Sequence, residues 1–139
     1  MLPKNVGDVV IIASDEKTRV EKEHGLNLSH FDLNKSIKPG IKPSGDKLCY
    51  KNAIEYAQKY KEHKGLKLMY GFAVGIKSLQ QNKILVDITK HAWVEFKGEV
   101  IDPTWGSTIA KQHLYFGRQE KDLNTTPKHL MTKIIEETK

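Results

Sequence analysis

A chain of 139 residues with one cysteine can form no internal disulfide. That excludes the disulfide-stapled scaffolds of small secreted proteins, fits a reducing compartment, and leaves the thiol of Cys49 to be explained. Long apolar runs are also missing. The longest near the N-terminus, Val9 to Ala13, is too short for the hydrophobic segment of a signal peptide and is followed by Asp15 and Glu16. No stretch approaches membrane-spanning length. The expected location is therefore cytoplasmic, without a membrane partner, and a secreted or lipid-anchored form would require a precursor.

Arginine is scarce, with only Arg19 and Arg118. The net charge of +6 rests on lysines scattered along the whole chain. Such a surface serves solvation first and acidic partners second. Aromatics do not alternate with the basic residues as they do in a stacking platform for single strands. A basic nucleic-acid-binding protein is accordingly the weakest of the readings considered. Close metal-ligand spacings are absent too: Cys49, His63, His91, Glu95 and His113 offer ligand types but no CxxC or HxxxH pair. Neither a phosphate-cradling glycine loop nor a dinucleotide fingerprint occurs. No metal and no cofactor are expected.

What is present is the composition of an ordinary globular protein, and the length suits one domain. The first 43 residues are the least readable and are left as an unassigned N-terminal extension. Within them, Val9 to Ala13 suggests a short buried segment and Asp15 to Glu23 an exposed helix. Two breaker-rich steps, Lys38-Pro39-Gly40 and Lys42-Pro43-Ser44-Gly45, form a loop. The core spans about 44–117. A helix is predicted from an N-cap at Ser44 or Asp46 to about His63-Lys64, stopped by Gly65. Tyr50, Ala53, Ile54, Ala57 and Tyr60 recur at helical spacing on its buried face.

Leu68 to Val74 then reads as a central strand and Ile84 to Ile88 as another. His91–Phe96 and Glu99–Asp102 form a hairpin about Lys97-Gly98, and a further strand covers His113 to Phe116. A C-terminal helix over 126–138 opens with Thr126 as N-cap and Pro127 behind it, burying Leu130, Met131, Ile134 and Ile135. Helix, antiparallel strands, helix is the order of an α+β fold in a single domain, 1–139.

Three residues carry chemistry. A thiol attacks as its thiolate, and the first turn of a helix favours negative charge through its unpaired N–H groups and dipole. Cys49 falls in such a turn, although it also borders the apolar stripe, where a cysteine is ordinarily a small packing residue. The hairpin supplies an independent geometric argument. If Lys97 and Gly98 are a two-residue turn, Phe96 faces Glu99 and Trp93 faces Asp102. His91 and Asp102 then become diagonal cross-strand neighbours, about 7–8 Å apart and within side-chain reach. A four-residue loop preserves that pairing, whereas a three-residue loop puts the two on opposite faces. His91 would take and return the thiol proton, and Asp102 would hold the imidazole in its productive tautomer. Taken singly, His91 also reads as a satisfied histidine and Asp102 as a turn cap before Pro103.

The segment His91-Ala92-Trp93-Val94-Glu95, Gly98, Val100-Ile101-Asp102-Pro103-Thr104-Trp105 closely resembles the core of transglutaminase-like, papain-related enzymes around their catalytic His and Asp. Upstream, Cys49 opening a helix, Ala53 within it, and Gly65-Leu66 leading into a strand with Gly71 are similar as well. Where members commonly carry an arginine after a Gly-hydrophobic-Pro step, this chain has Lys67-Leu68. The resemblance spans roughly Leu48 to Trp105. It implies a cysteine-bearing helix packed on an antiparallel sheet, with Cys49, His91 and Asp102 as a thiol-dependent acyl-transfer triad.

The expected activity is attack on an amide or related acyl group of a peptide, protein or small molecule through a thioester. Hydrolysis (protease, deamidase or amidase) is favoured slightly over transamidation. The Cys49 backbone N–H is the natural first oxyanion donor, with Asn34 and Asn27 as upstream choices for a second. Trp93 and Trp105 are candidate pocket walls, and equally good core aromatics. The alternative is a catalytically inactive binding or inhibitory module on the same fold, phage- or pathogen-derived, because function resides in the site rather than the fold.

Overall fold

The computed structural model describes residues 18, 21–22, 27–34, 36–37, 48–80, 83–105 and 113–138. The expected segment Val9 to Ala13, most of Asp15 to Glu23, and the expected caps Ser44 and Asp46 lie outside them. The strands are β1 (Asp32–Asn34), β2 (Ser36–Ile37), β3 (Leu66–Gln80), β4 (Lys83–Phe96), β5 (Glu99–Ile101) and β6 (His113–Glu120). The helices are α1 (Cys49–Lys59) and α2 (Pro127–Glu137). Among the described residues the sheet runs β1-β6-β3-β4-β5-β2. Its pairs are antiparallel except β2 with β5. The fold class is α+β, as expected. No helix of the described residues is long and apolar enough to cross a membrane.

The two edge strands are neighbours in sequence, since Asn34 and Ser36 are separated by one residue. Two residues of chain reach about 7 Å at most. The opposite edges of a six-stranded sheet are thus brought together by covalent bonds, and the sheet must curl.

Period-2 alternation divides that sheet into two apolar faces. One carries Leu68, Tyr70, Phe72 and Val74 of β3, Ala92 and Val94 of β4, and Leu114 and Phe116 of β6. Leu28, Phe31, α1 and α2 cover it, through Tyr50, Ala53, Ile54 and Ala57 of α1 and Leu130 and Ile134 of α2. The opposite face gathers Met69, Ala73, Trp93, Val100 and Tyr115, with Trp105 packed against them. On that face β3 offers only Gly71, Ala73 and Gly75 opposite the stretch of β6 from His113 to Gly117. The central strand is therefore a trough over which larger side chains of β4 and β6 can meet.

Several expected boundaries move. The helix predicted from the Ser44–Asp46 region to His63-Lys64 is described only from Cys49, with Leu48 as an N-cap that makes no side-chain cap bond. It ends at Lys59 because Lys61 to Lys64 are exposed and have no apolar side chain to hold a further turn on the sheet. Two turns instead link 60 to 66, through His63 N–H to Tyr60 C=O and Leu66 N–H to His63 C=O. Tyr60, expected on the buried face, is only half-buried. The separate strands predicted at Ile84–Ile88 and His91–Phe96 are one continuous β4, paired along its length with β3 across one bulge. In α2, Leu130 and Ile134 are buried, whereas Met131 (46 %) and Ile135 (44 %) are exposed. An 11-residue helix on a curved sheet buries a narrower stripe than its apolar positions suggest. Polar ties hold it instead: Lys133 to buried Glu120, the Tyr70 hydroxyl to Glu137 at 3.0 Å, and Arg118 to Glu137 at 3.8 Å.

Candidate active site

The hairpin that positions two of the three candidate residues forms as the sequence implies. Phe96 faces Glu99, Glu95 faces Val100 and Val94 faces Ile101. Lys97 (φ 54°) and Gly98 (φ 77°) both take left-handed conformations, the pattern of a type I′ turn whose twist matches that of the strands. Continuing the register sets Asp102, the first residue beyond β5, diagonal to His91 on β4. His91 Nε2 and Asp102 Oδ2 are 2.7 Å apart, and both residues are fully buried.

Both carboxylate oxygens of Asp102 are engaged, one in the turn that follows it and one with His91. Its Oδ1 accepts from the N–H groups of Thr104 and Trp105, each at 3.0 Å, folding the Asp-Pro-Thr-Trp step into a tight turn. Its Oδ2 accepts from His91 and from the hydroxyl of Tyr115, again at 2.7 Å. Burial pushes the Asp102 carboxyl up. The hydrogen bond and charge of His91, the Trp105 N–H and the Tyr115 hydroxyl outweigh it and hold the group below the ordinary carboxylate range. An ionised carboxylate only accepts, so His91 Nε2 carries a proton.

The opposite nitrogen is the informative one. His91 Nδ1 is buried without a hydrogen-bond partner among the described residues. Burial pushes the imidazole down, yet the hydrogen bond and charge of Asp102, with the proximity of Cys49, raise it to about 9. Cys49 thus acts on the ring although no bond to Nδ1 meets normal hydrogen-bond geometry. With Nε2 taken by Asp102, Nδ1 is the nitrogen left to the thiol. Cys49 is the first residue of α1 and is 5 % exposed. One turn on, Asn52 Nδ2 donates to Thr104 Oγ1 at 3.2 Å, tying the start of that helix to the Asp102 turn.

Both candidate tryptophans lie against the imidazole. Trp105, half-buried, stacks on it at 3.9 Å and 11°, and fully buried Trp93 lies nearly parallel at 5.9 Å. Trp105 also meets His113 at 4.4 Å, and Trp93 packs edge-on against Tyr115 at 4.9 Å. The upstream asparagines fare differently. Asn27 is exposed and accepts from Ser29 N–H at 3.1 Å in a local turn, whereas Asn34 of β1 stands beside Tyr115 in the strand register. Asn52 and Tyr115 were missed by sequence reasoning. Asn52 is one helical turn beyond Cys49, a spacing that could have drawn notice. Tyr115 has no local signal, being an aromatic in a strand 13 residues beyond Asp102.

Among the described residues no group of three His, Cys, Asp or Glu side chains is placed to hold a metal ion. The chain matches no protein-family model, no curated protein and no solved structure.

Proposed function

We propose that the chain is a thiol-dependent acyl-transfer enzyme with a transglutaminase-like site, in which Cys49 is the nucleophile, His91 the proton carrier and Asp102 its anchor. The observation that carries this reading is the one-sided engagement of His91. Nε2 is held by Asp102 at 2.7 Å, while buried Nδ1 is unpartnered and Cys49 raises the proton affinity of the ring. At neutral pH an imidazole that titrates near 9 is protonated on both nitrogens. A buried Nδ1–H needs an acceptor, and the thiolate of Cys49 answers that need.

The steps follow from that pair. Cys49 Sγ adds to the carbonyl carbon of an amide, and the negative charge gathers on its oxygen, toward which the Cys49 N–H is the first donor. The C–N bond breaks, His91 gives its Nδ1 proton to the departing amine, and a thioester remains. Water then attacks the thioester, His91 Nδ1 accepts its proton, and Cys49 leaves as thiolate beside the re-formed imidazolium. An amine in place of water gives transamidation. Hydrolysis is the favoured outcome, because excluding water from a thioester asks for more enclosing structure than a domain of this size supplies. The substrates are peptide, protein or small-molecule amides, and no cofactor takes part.

One observation favours the second reading, an inactive binding or inhibitory module: Cys49 is 5 % and His91 1 % exposed. Alkylation separates the two. Iodoacetamide at neutral pH should modify wild-type Cys49 at least about 10-fold faster than the same thiol in His91→Ala. Equal, ordinary rates in both proteins would sink the enzyme. A Cys49 that reacts only after unfolding would establish the inert module.

A further inference from the structure

We infer that Tyr115 is a positioning residue for His91, acting through Asp102 by donating to the same carboxylate oxygen that receives the imidazole Nε2–H. The inference rests on the proposed role of the Cys49–His91–Asp102 constellation and adds to it a fourth member from a different strand. Tyr115 O–H and His91 Nε2 both stand 2.7 Å from Asp102 Oδ2. With Thr104 and Trp105 on Oδ1, the carboxylate accepts four hydrogen bonds. A carboxylate fixed at both oxygens cannot rotate, so the plane it offers to His91 is set by the protein.

The sheet is built to allow this reach. Tyr115 lies on β6, and two strand spacings separate β6 from β4, with β3 between. The residue of β3 paired with Tyr115 is Ala73, flanked on the same face by Gly71 and Gly75. Among the described residues, β3 puts nothing larger than the Ala73 methyl on this face opposite His113 to Gly117. Trp93 packs edge-on against the Tyr115 ring at 4.9 Å. The phenol is a permanent donor: burial, then the charge and hydrogen bond of Asp102, push its pKa well above the ordinary tyrosine value.

The consequence for His91 has a definite sign. Each donor to Asp102 disperses the negative charge that would otherwise draw the imidazole proton. Tyr115 thereby moderates the pull of Asp102 and leaves His91 able to release its Nδ1 proton to a leaving group. Removing the hydroxyl while keeping the ring should raise the His91 titration midpoint. A hydroxyl that merely filled space would leave the midpoint where it is, because Asp102 would keep its bonds to His91, Thr104 and Trp105. Among the described residues, the other ionisable groups about the ring are Cys49 on α1 and, beyond Trp105, His113 on β6.

The experiment is a proton-nitrogen NMR titration of the His91 ring in wild type and Tyr115→Phe. The expected result is an upward shift of about half to one pH unit. A shift of zero, or a downward one, overturns the inference. Should the Phe variant fail to fold, uniform replacement of the tyrosines by 3-fluorotyrosine decides the matter. Fluorination strengthens the phenol as a donor, and of the five tyrosines Tyr115 is the one bonded to Asp102. The midpoint should then fall, and an unchanged midpoint refutes the inference. Iodoacetamide alkylation of Cys49 in the same samples reports on the triad separately. Ordinary, His91-independent thiol reactivity would remove the enzyme reading while the titration still scores Tyr115.

Discussion

At the scale of single residues, Gly71 shows how little room the site's surroundings allow. A Cβ at position 71 would lie 2.1 Å from the Phe116 carbonyl oxygen and 3.0 Å from the Phe31 ring. The backbones of β3 and β6 approach there directly behind His91, which pairs with Gly71 on the other side. Gly71→Ala has no flexible neighbour to displace and should cost about 3 kcal/mol of stability. A urea unfolding midpoint would register this, and a loss under about 1 kcal/mol would mean the two strands can separate without penalty. The pairing of His91 with Asp102 was legible at this scale because hairpin parity and turn chemistry are local properties. Tyr115 was not. Its partnership with Asp102 depends on a long β3 lying between β6 and β4, and on that strand being bare of side chains at the crossing point.

Among elements, those with chemical punctuation were read closely and those without it drifted. Lys97-Gly98 set the β4–β5 register to the residue, because two consecutive left-handed residues fit few turns. Thr126 and Pro127 marked the start of α2, where Thr126 Oγ1 accepts from His129 N–H at 3.2 Å. The start of α1 carries no such mark, since Leu48 offers no capping side chain. β4 was divided in expectation because Thr89 and Lys90 are exposed polar residues in mid-strand, while pairing with Phe72 and Ala73 of β3 continues through them. For α2 the cap yields a clear expectation. Thr126→Ala should lower stability by about 1 kcal/mol, and Thr126→Gly by only a few tenths, both read from thermal melts. Equal losses in the two variants would indicate that Thr126 serves some purpose other than capping.

Taken whole, the molecule stores part of its stability in protons. The bond to Asp102 and the neighbouring charges push the His91 imidazole up to about 9, above the ordinary histidine value of 6.5. Its contribution is fully present below about pH 6.5 and is lost as pH rises through 9. In a Cys49→Ser background, where no thiol titrates, stability should decline over that window by at most about 3 kcal/mol, and adding His91→Gln should flatten the slope. Asp102 acts at the other end: its depressed pKa gives stability above the ordinary carboxyl value that disappears as pH falls below it. Chemical denaturation across pH 2 to 10 would test both limbs. A stability curve that keeps rising from pH 6.5 to 9 would contradict the assignment for His91.

The one-residue link between β1 and β2 also dictates an order of events. β1 rests on residues 115–117 of β6, and β2 on Glu99 and Val100 of β5. A chain made from its N-terminus carries both short strands out of the ribosome long before either template exists. They cannot dock until the hairpin has formed and β6 has been laid against β3. Their contacts span most of the domain, so loop-closure entropy defers them further. The N-terminal strands are thus a clasp fastened last, and a chain cut short before β6 would leave β1 without its partner strand.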